Sequence, residues 1–317
     1  MISIKQKNIA IFGDLILDQY TSGTVNRISP EAPVPIIKVN KQDYKLGGSG
    51  NVLLNLIALG MKSTIYGRIG NDTNGAIVKE KLTSNHITHH LITSESIPTI
   101  KKQRIISGNH QMLRIDYEES ETLHQNHLNT IFSHFIEHFE SYDAVVLSDY
   151  GKGFLTDELC QKVITYCHEN NKSLPIIVDP KGHDFSKYKG ATVITPNMKE
   201  ATNTNPIANS IEDIAKSILE KTHLEFLLIT RSQDGISYFT PEPSFSHKNF
   251  PVEVQEVTDV TGAGDTVVAV VTSCLANSID HETMCTLCNI AGGYVVGHFG
   301  ATTISAEVLL NQYQKNV

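Results

Sequence analysis

Asp259-Val260-Thr261-Gly262-Ala263-Gly264-Asp265-Thr266 is the most informative stretch of the chain. Its two glycines let backbone amides crowd together, and a carboxylate stands directly behind them. The apolar run Val267 to Val271 follows and reads as the start of a buried helix. Amides at a helix start make an anion hole. A carboxylate there would repel a bound phosphate, unless it serves as a base. As a base it removes a proton from a hydroxyl while the amides hold developing negative charge. Phosphoryl transfer to an alcohol has that requirement.

Upstream, short apolar strands alternate with helical stretches. Ile9 to Phe12 ends in Gly13-Asp14, and strand-like runs recur at 63–66, 144–147, 175–178, 192–194 and 226–229. Helices are expected over 51–57, 123–139, 157–169 and 211–221. This order predicts an α/β fold with a mostly parallel sheet and helices on both faces, its ligands at the carboxyl ends of the strands. Asp14, Asp149, Asp179 and Asn197 each fall just after a predicted strand. Two β segments break the alternation, about 19–46 and 98–117, the second with a turn at Ser107-Gly108-Asn109. They are expected to form a small lid over the strand ends. Exposed edges need cover, so a homodimer through the lids is expected. No linker divides the chain, and residues 1–317 are read as one domain.

Other constellations give the glycine loop its meaning. Gly47-Gly48-Ser49-Gly50-Asn51 allows close approach of a polyol to backbone, and Asn51 offers both a donor and an acceptor. Asp14 is a natural partner for sugar hydroxyls, although an isolated Asp also serves as a helix cap. Asn197-Met198-Lys199-Glu200 places two oxygen-bearing side chains on one side of a first helical turn. They suit Mg²⁺ held through waters, or equally a capping box. Lys181, in Asp179-Pro180-Lys181-Gly182, and the lid residues Arg104, Asn109, Gln111 and Arg114 are candidate contacts for a substrate and its phosphate. The chain has no G-x-x-x-x-G-K-[ST] and no G-x-G-x-x-G after its first strand, which disfavours P-loop and dinucleotide-binding folds.

A net charge of −8 argues against general binding to nucleic acid or anionic membranes. The longest apolar runs are too short for a bilayer, and the N-terminus lacks a signal-peptide pattern, so a cytoplasmic location is expected. Five scattered cysteines, with a lone C-x-x-C at Cys285 and Cys288, read as buried thiols. The fourteen histidines are read as dispersed, with no metal ligand among them.

Taken together, Gly47-Gly48-x-x-Asn51 and Asp259 to Thr266 resemble the N- and C-terminal signatures of the ribokinase-like (PfkB) carbohydrate kinases. The resemblance spans nearly the whole chain. Arg27-Ile28-Ser29-Pro30-Glu31-Ala32-Pro33-Val34-Pro35, Gly13-Asp14 with Leu17-Asp18, and Ser148-Asp149-Tyr150-Gly151-Lys152-Gly153 look more particularly like the D-glycero-β-D-manno-heptose-7-phosphate kinases of lipopolysaccharide-core biosynthesis. So do Asp179 to Gly182 and Thr195 to Glu200. The resemblance implies a stand-alone ATP-dependent kinase acting on the anomeric hydroxyl. Asp265 is then the base, and the amides of Gly262, Ala263 and Gly264 are the anion hole. Asn197, Met198, Lys199 and Glu200 lie at Mg-ATP. Asp14, Gly47, Gly48, Asn51, Arg104 and Lys181 lie at the sugar phosphate. A monovalent cation such as K⁺ is implied near Asp259 and Thr261. A kinase for another sugar phosphate or nucleoside, or a catalytically silent sugar-phosphate-binding regulator, is the alternative.

Overall fold

A computed structural model describes residues 2–108, 110–252, 257–298 and 300–316. Strand β1 (Asn8–Gly13) sets the architecture. Its side chains alternate, Ile9 and Ile11 entering one apolar cluster and Ala10 and Phe12 the other. A strand apolar on both faces belongs in the middle of a covered sheet. There it pairs in parallel with β4 (Lys62–Gly70) and β8 (Ala144–Ser148).

Between β1 and β4 the chain makes the long strands β2 (Leu15–Ile28) and β3 (Pro35–Gly48), then helix α1 (Ser49–Ala58). Helix α2 (Thr73–Ser84) and strands β5 (Thr88–Ser94), β6 (Lys101–Ser107) and β7 (His110–Tyr117) follow, then α3 (Gln125–His138). After β8 come α4 (Asp157–Asn170), β9 (Ile176–Asp179), the short β10 (Val193–Ile194), α5 (Met198–Thr204) and α6 (Ile211–Thr222). Strands β11 (Phe226–Thr230), β12 (Ile236–Thr240) and β13 (Ser246–Phe250) precede α7 (Ala263–Ala276), α8 (His281–Val296) and α9 (Ala306–Asn316).

Nine strands form the main sheet in the order β13-β12-β11-β10-β9-β8-β1-β4-β5. It is parallel from β11 to β5, and β12 and β13 add an antiparallel edge. Helices α1, α2, α7, α8 and α9 cover the face of Ile9 and Ile11. Helices α3, α4 and α6 cover the face of Ala10 and Phe12. The expected α/β architecture is the one observed. The lid is a separate four-stranded sheet, β3-β2-β6-β7. It reaches further than 19–46, because β2 starts two residues after β1 and β3 runs directly into α1. Its base is therefore rooted in the main sheet. Asn109, at the expected lid turn, lies outside the described residues.

Cys285 and Cys288 are buried in α8, and burial pushes the Cys285 thiol up to about 12, so they are inert core thiols. The histidines are less dispersed than the sequence reading held. His134 and His138 stand one turn apart on α3, and both rings lie against His90 of β5, at 4.7 and 5.4 Å. Among the described residues no group of three or more His, Cys, Asp or Glu is arranged to hold a metal ion.

Candidate active site

Gly262 makes the decisive bend. Its φ of 82° is left-handed, and an added Cβ would press on the Asn51 side-chain nitrogen, so glycine is required there. Helix α7 begins at Ala263, four residues before the apolar run, so the glycine loop is itself the first turn. The Ala263 amide turns back to the Val260 carbonyl at 3.3 Å. The amides of Gly262, Gly264 and Asp265 have no protein acceptor among the described residues. They are unsatisfied donors of the kind that holds an anion. The Asp259 carboxylate staples this loop, accepting from Thr261 N and Oγ1 at 2.9 and 2.7 Å and from Gly300 N at 3.0 Å. Burial alone would raise Asp259, but these donors outweigh it and hold it below the usual carboxylate range.

A cavity of about 200 Å³ opens beside the loop. Thr261, Gly262, Gly264, Asp265 and Ala301 form one wall, and Asn51 of α1 and Tyr150 another. The lid supplies Ile16, Asp18, Gly47, Gly48, Lys102 and Arg104. The sequence-derived residues Asp265, Gly262, Gly264, Gly47, Gly48, Asn51 and Arg104 thus come together, from segments far apart in the chain. Asp265 is half-buried at the cavity wall, and desolvation raises its carboxyl to about 6 despite hydrogen bonds from Tyr150 and Asn51. Such a group is ionised near neutral pH yet basic enough to take a proton. A larger depression of about 370 Å³, lined by Lys216, His223 and Phe245, shares none of these residues. It opens at the amino end of β11, away from the glycine loop.

Asp14 requires correction. Its carboxylate is buried and faces the 149–154 loop, accepting from the amides of Tyr150, Lys152 and Phe154 at 3.1, 3.2 and 3.3 Å. Burial, then the Asp149 charge, raises it above the usual range. It braces a loop and does not line the cavity. Asp18 takes the place expected of it. Leu15 and Leu17 of β2 point into the core, so the alternation turns Ile16 and Asp18 to the cavity. Asp18 accepts from Arg104 Nη1 at 2.5 Å, and an added Cβ at Gly47 would collide with its carboxylate. Burial alone would lower Arg104, but Asp18 outweighs it and the guanidinium is raised. Strand alternation does not separate the two, since 14 and 18 have the same parity; Asp14 falls in the break between β1 and β2, where the amides of the 149–154 loop take its carboxylate.

At the nucleotide candidates the structure shows the capping box that the sequence also offered. Asn197 Oδ1 accepts from Glu200 N at 2.9 Å, and Glu200 Oε2 accepts from Asn197 N at 3.1 Å, a complete capping box for α5. Lys181 donates to Glu200 Oε1 at 2.7 Å, so it belongs with this cluster and not with the sugar cavity. Met198 packs on the core and Lys199 is exposed. Asp179, at the end of β9, feels the charges of both this cluster and Asp265. Burial, then the charges of Asp265 and Glu200, push it well above its ordinary range. Sequence reasoning assigned no role to Asp18, Tyr150, Lys102 or Asp179. Gln111 and Arg114, in β7, are exposed and outside the cavity lining.

A proton acceptor beside free helix-start amides, on a lidded parallel α/β sheet, defines a class, the sugar kinases. The pfkB family carbohydrate kinase model matches residues 6–308, and the chain belongs to that family of phosphotransferases. It is 41% identical over 302 residues to the bifunctional protein HldE of Sulfurimonas denitrificans, covering 94% of this chain and 62% of the relative. It is 38% identical over 314 residues to HldE of Haemophilus ducreyi, covering 98% and 64%. The chain therefore spans under two thirds of these relatives. The fold matches phosphofructokinase-2 from Escherichia coli in complex with fructose-6-phosphate, with a TM-score of 0.77 and 16% identity over 98% of this chain and 99% of that one.

Proposed function

We propose that this chain is an ATP-dependent kinase for the anomeric hydroxyl of D-glycero-β-D-manno-heptose 7-phosphate, giving the 1,7-bisphosphate on the route to lipopolysaccharide core. The observation that carries the chemistry is Asp265, a carboxylate of raised pKa at the cavity wall beside amides with no protein acceptor among the described residues. The acceptor is argued from the identity to HldE proteins along nearly this whole chain and from the Arg27–Pro35 motif.

Asp265 would accept the hydroxyl proton as that oxygen bonds to the γ-phosphorus of ATP and the bond from that phosphorus to the ADP oxygen breaks, ADP leaving. The Gly262 and Gly264 amides receive charge on the transferring group. Asn51 and Asp18 orient the sugar, and Lys102 and Arg104 supply positive charge for its phosphate. ATP, when bound, supplies the γ-phosphoryl group, and Mg²⁺ neutralises its charge. The oxygens of Asn197, Glu200 and Asp179 with the Lys181 ammonium fit a hydrated metal-nucleotide. A monovalent cation near the Asp259–Thr261 staple belongs to the same proposal, and turnover independent of K⁺ would remove it.

Substrate identity is tested by ADP release with a panel of heptose 7-phosphate, fructose 6-phosphate, ribose and a nucleoside. Heptose 7-phosphate is expected to be fastest, with ³¹P NMR showing an anomeric phosphate. Faster turnover of another acceptor overturns the heptose assignment. Tight binding without ADP release supports a silent regulator.

A further inference from the structure

Both oxygens of the Asp265 carboxylate are held by protein donors. Asn51 Nδ2 donates to Oδ2 at 2.6 Å, and the Tyr150 hydroxyl donates to Oδ1 at 2.5 Å. Asn51 was expected at the sugar. Tyr150 has no part in the reading above, yet it lines the same cavity and touches the base.

The loop that carries Tyr150 is fixed from several sides. The Asp14 carboxylate accepts the amides of Tyr150, Lys152 and Phe154. Arg68 donates to the carbonyls of Glu121 and Lys152, both at 2.9 Å, and the Leu123 amide donates to the Gly153 carbonyl at 3.0 Å. Asp149 Oδ1 accepts from the Gly151 amide at 2.6 Å, while its Oδ2 is held by the Tyr188 hydroxyl and Lys187. Gly151 and Gly153 both adopt left-handed φ, and a Cβ at Gly153 would collide with the Glu121 carbonyl. This frame spans the ends of β1, β4 and β8 and points one phenol at one carboxylate oxygen.

Resting on the reading of Asp265 as base, we propose that Tyr150 is a positioning residue for phosphoryl transfer. Its hydroxyl fixes the rotation of the Asp265 carboxylate and favours the anion, and Asp14 acts through the loop to hold Tyr150 there. Tyr150 is not itself the base. Burial, then the Asp265 charge, push its hydroxyl well above its ordinary range, so it stays a donor. Each carboxylate oxygen keeps a second lone pair, and one of these takes the proton of the acceptor hydroxyl.

The test is Tyr150→Phe in the full chain, with kcat and KM followed from about pH 5.5 to about pH 9 on the best acceptor of the panel. Losing one donor to the anion is expected to move the acid limb of kcat upward by about one pH unit. The rate then falls up to about tenfold below the limb and approaches wild type at high pH, with KM changing less than kcat. Site-specific 3,5-difluorotyrosine at 150 keeps the ring and donates more strongly, and should move the limb downward. An acid limb at its wild-type position in both proteins overturns the proposal, even where the rate drops uniformly. Asp265→Asn assayed alongside separates the two readings. Near-normal turnover there removes the base itself, whatever Tyr150 does.

Discussion

At the scale of the residue, chemistry depends on how one carboxylate is surrounded. Burial raises Asp265 while Asn51 and Tyr150 pull it back, and the balance stands at about 6. The base must be ionised to act, so kcat should be flat above this value and fall about tenfold per unit below it. A pH–rate profile at saturating substrate checks this, and an acid limb near the ordinary carboxylate value would contradict the raised pKa. Asp265 was legible in the sequence because a glycine turn, a helix start and a carboxylate are contiguous there. Tyr150 and Asp18 were not, since what matters for them is which way a side chain points after the chain has returned across the sheet. Asp14 was misread for the same reason. A carboxylate after a strand meets whichever donors are nearest, and those are the amides of the 149–154 loop.

At the scale of the element, buried strands and strongly amphipathic helices were readable to within a few residues. α3, α4 and α6 stand where apolar periodicity put them. Helix α2 and strand β5 escaped notice because they bury little: α2 hides only Gly75, Val78 and Leu82, and β5 is an edge strand of mixed polarity. That edge carries a consequence. His90 stacks on Tyr66 and against His134 and His138, with His89 and Glu137 also nearby. Burial, then the charges of His134, His138 and His89, lower His90 below its ordinary 6.5, and Glu137 opposes this only in part. The unfolded chain therefore binds this proton more readily than the folded one. This stabilisation is complete above about pH 6.5 and is lost as pH falls below it. Urea midpoints at about pH 7.5 and pH 5.5 should show the loss, and His90→Phe, which stacks without titrating, should reduce it. An unchanged acid slope in His90→Phe would assign the loss to other groups.

At the scale of the molecule, the main sheet aims strand ends and the α7 start at one cavity, and the lid closes its other side. The lid also exposes apolar side chains that this chain alone does not cover: Ile28 is 60% exposed, Val34 51% and Leu113 57%. Ile28 and Val34 flank the tip of the Arg27–Pro35 motif. We infer that a second copy covers this surface. Sedimentation should give about twice the 35.0 kDa chain mass, and Val34→Asp should shift it toward monomer. A monomeric wild type at micromolar concentration would remove the dimer and leave the catalytic reading untouched. That reading is tested most directly by ADP release from heptose 7-phosphate and ATP with wild type and Asp265→Asn side by side. The substitution should leave sugar binding largely intact and lower turnover by at least about a hundredfold. Turnover close to wild type in Asp265→Asn would contradict it.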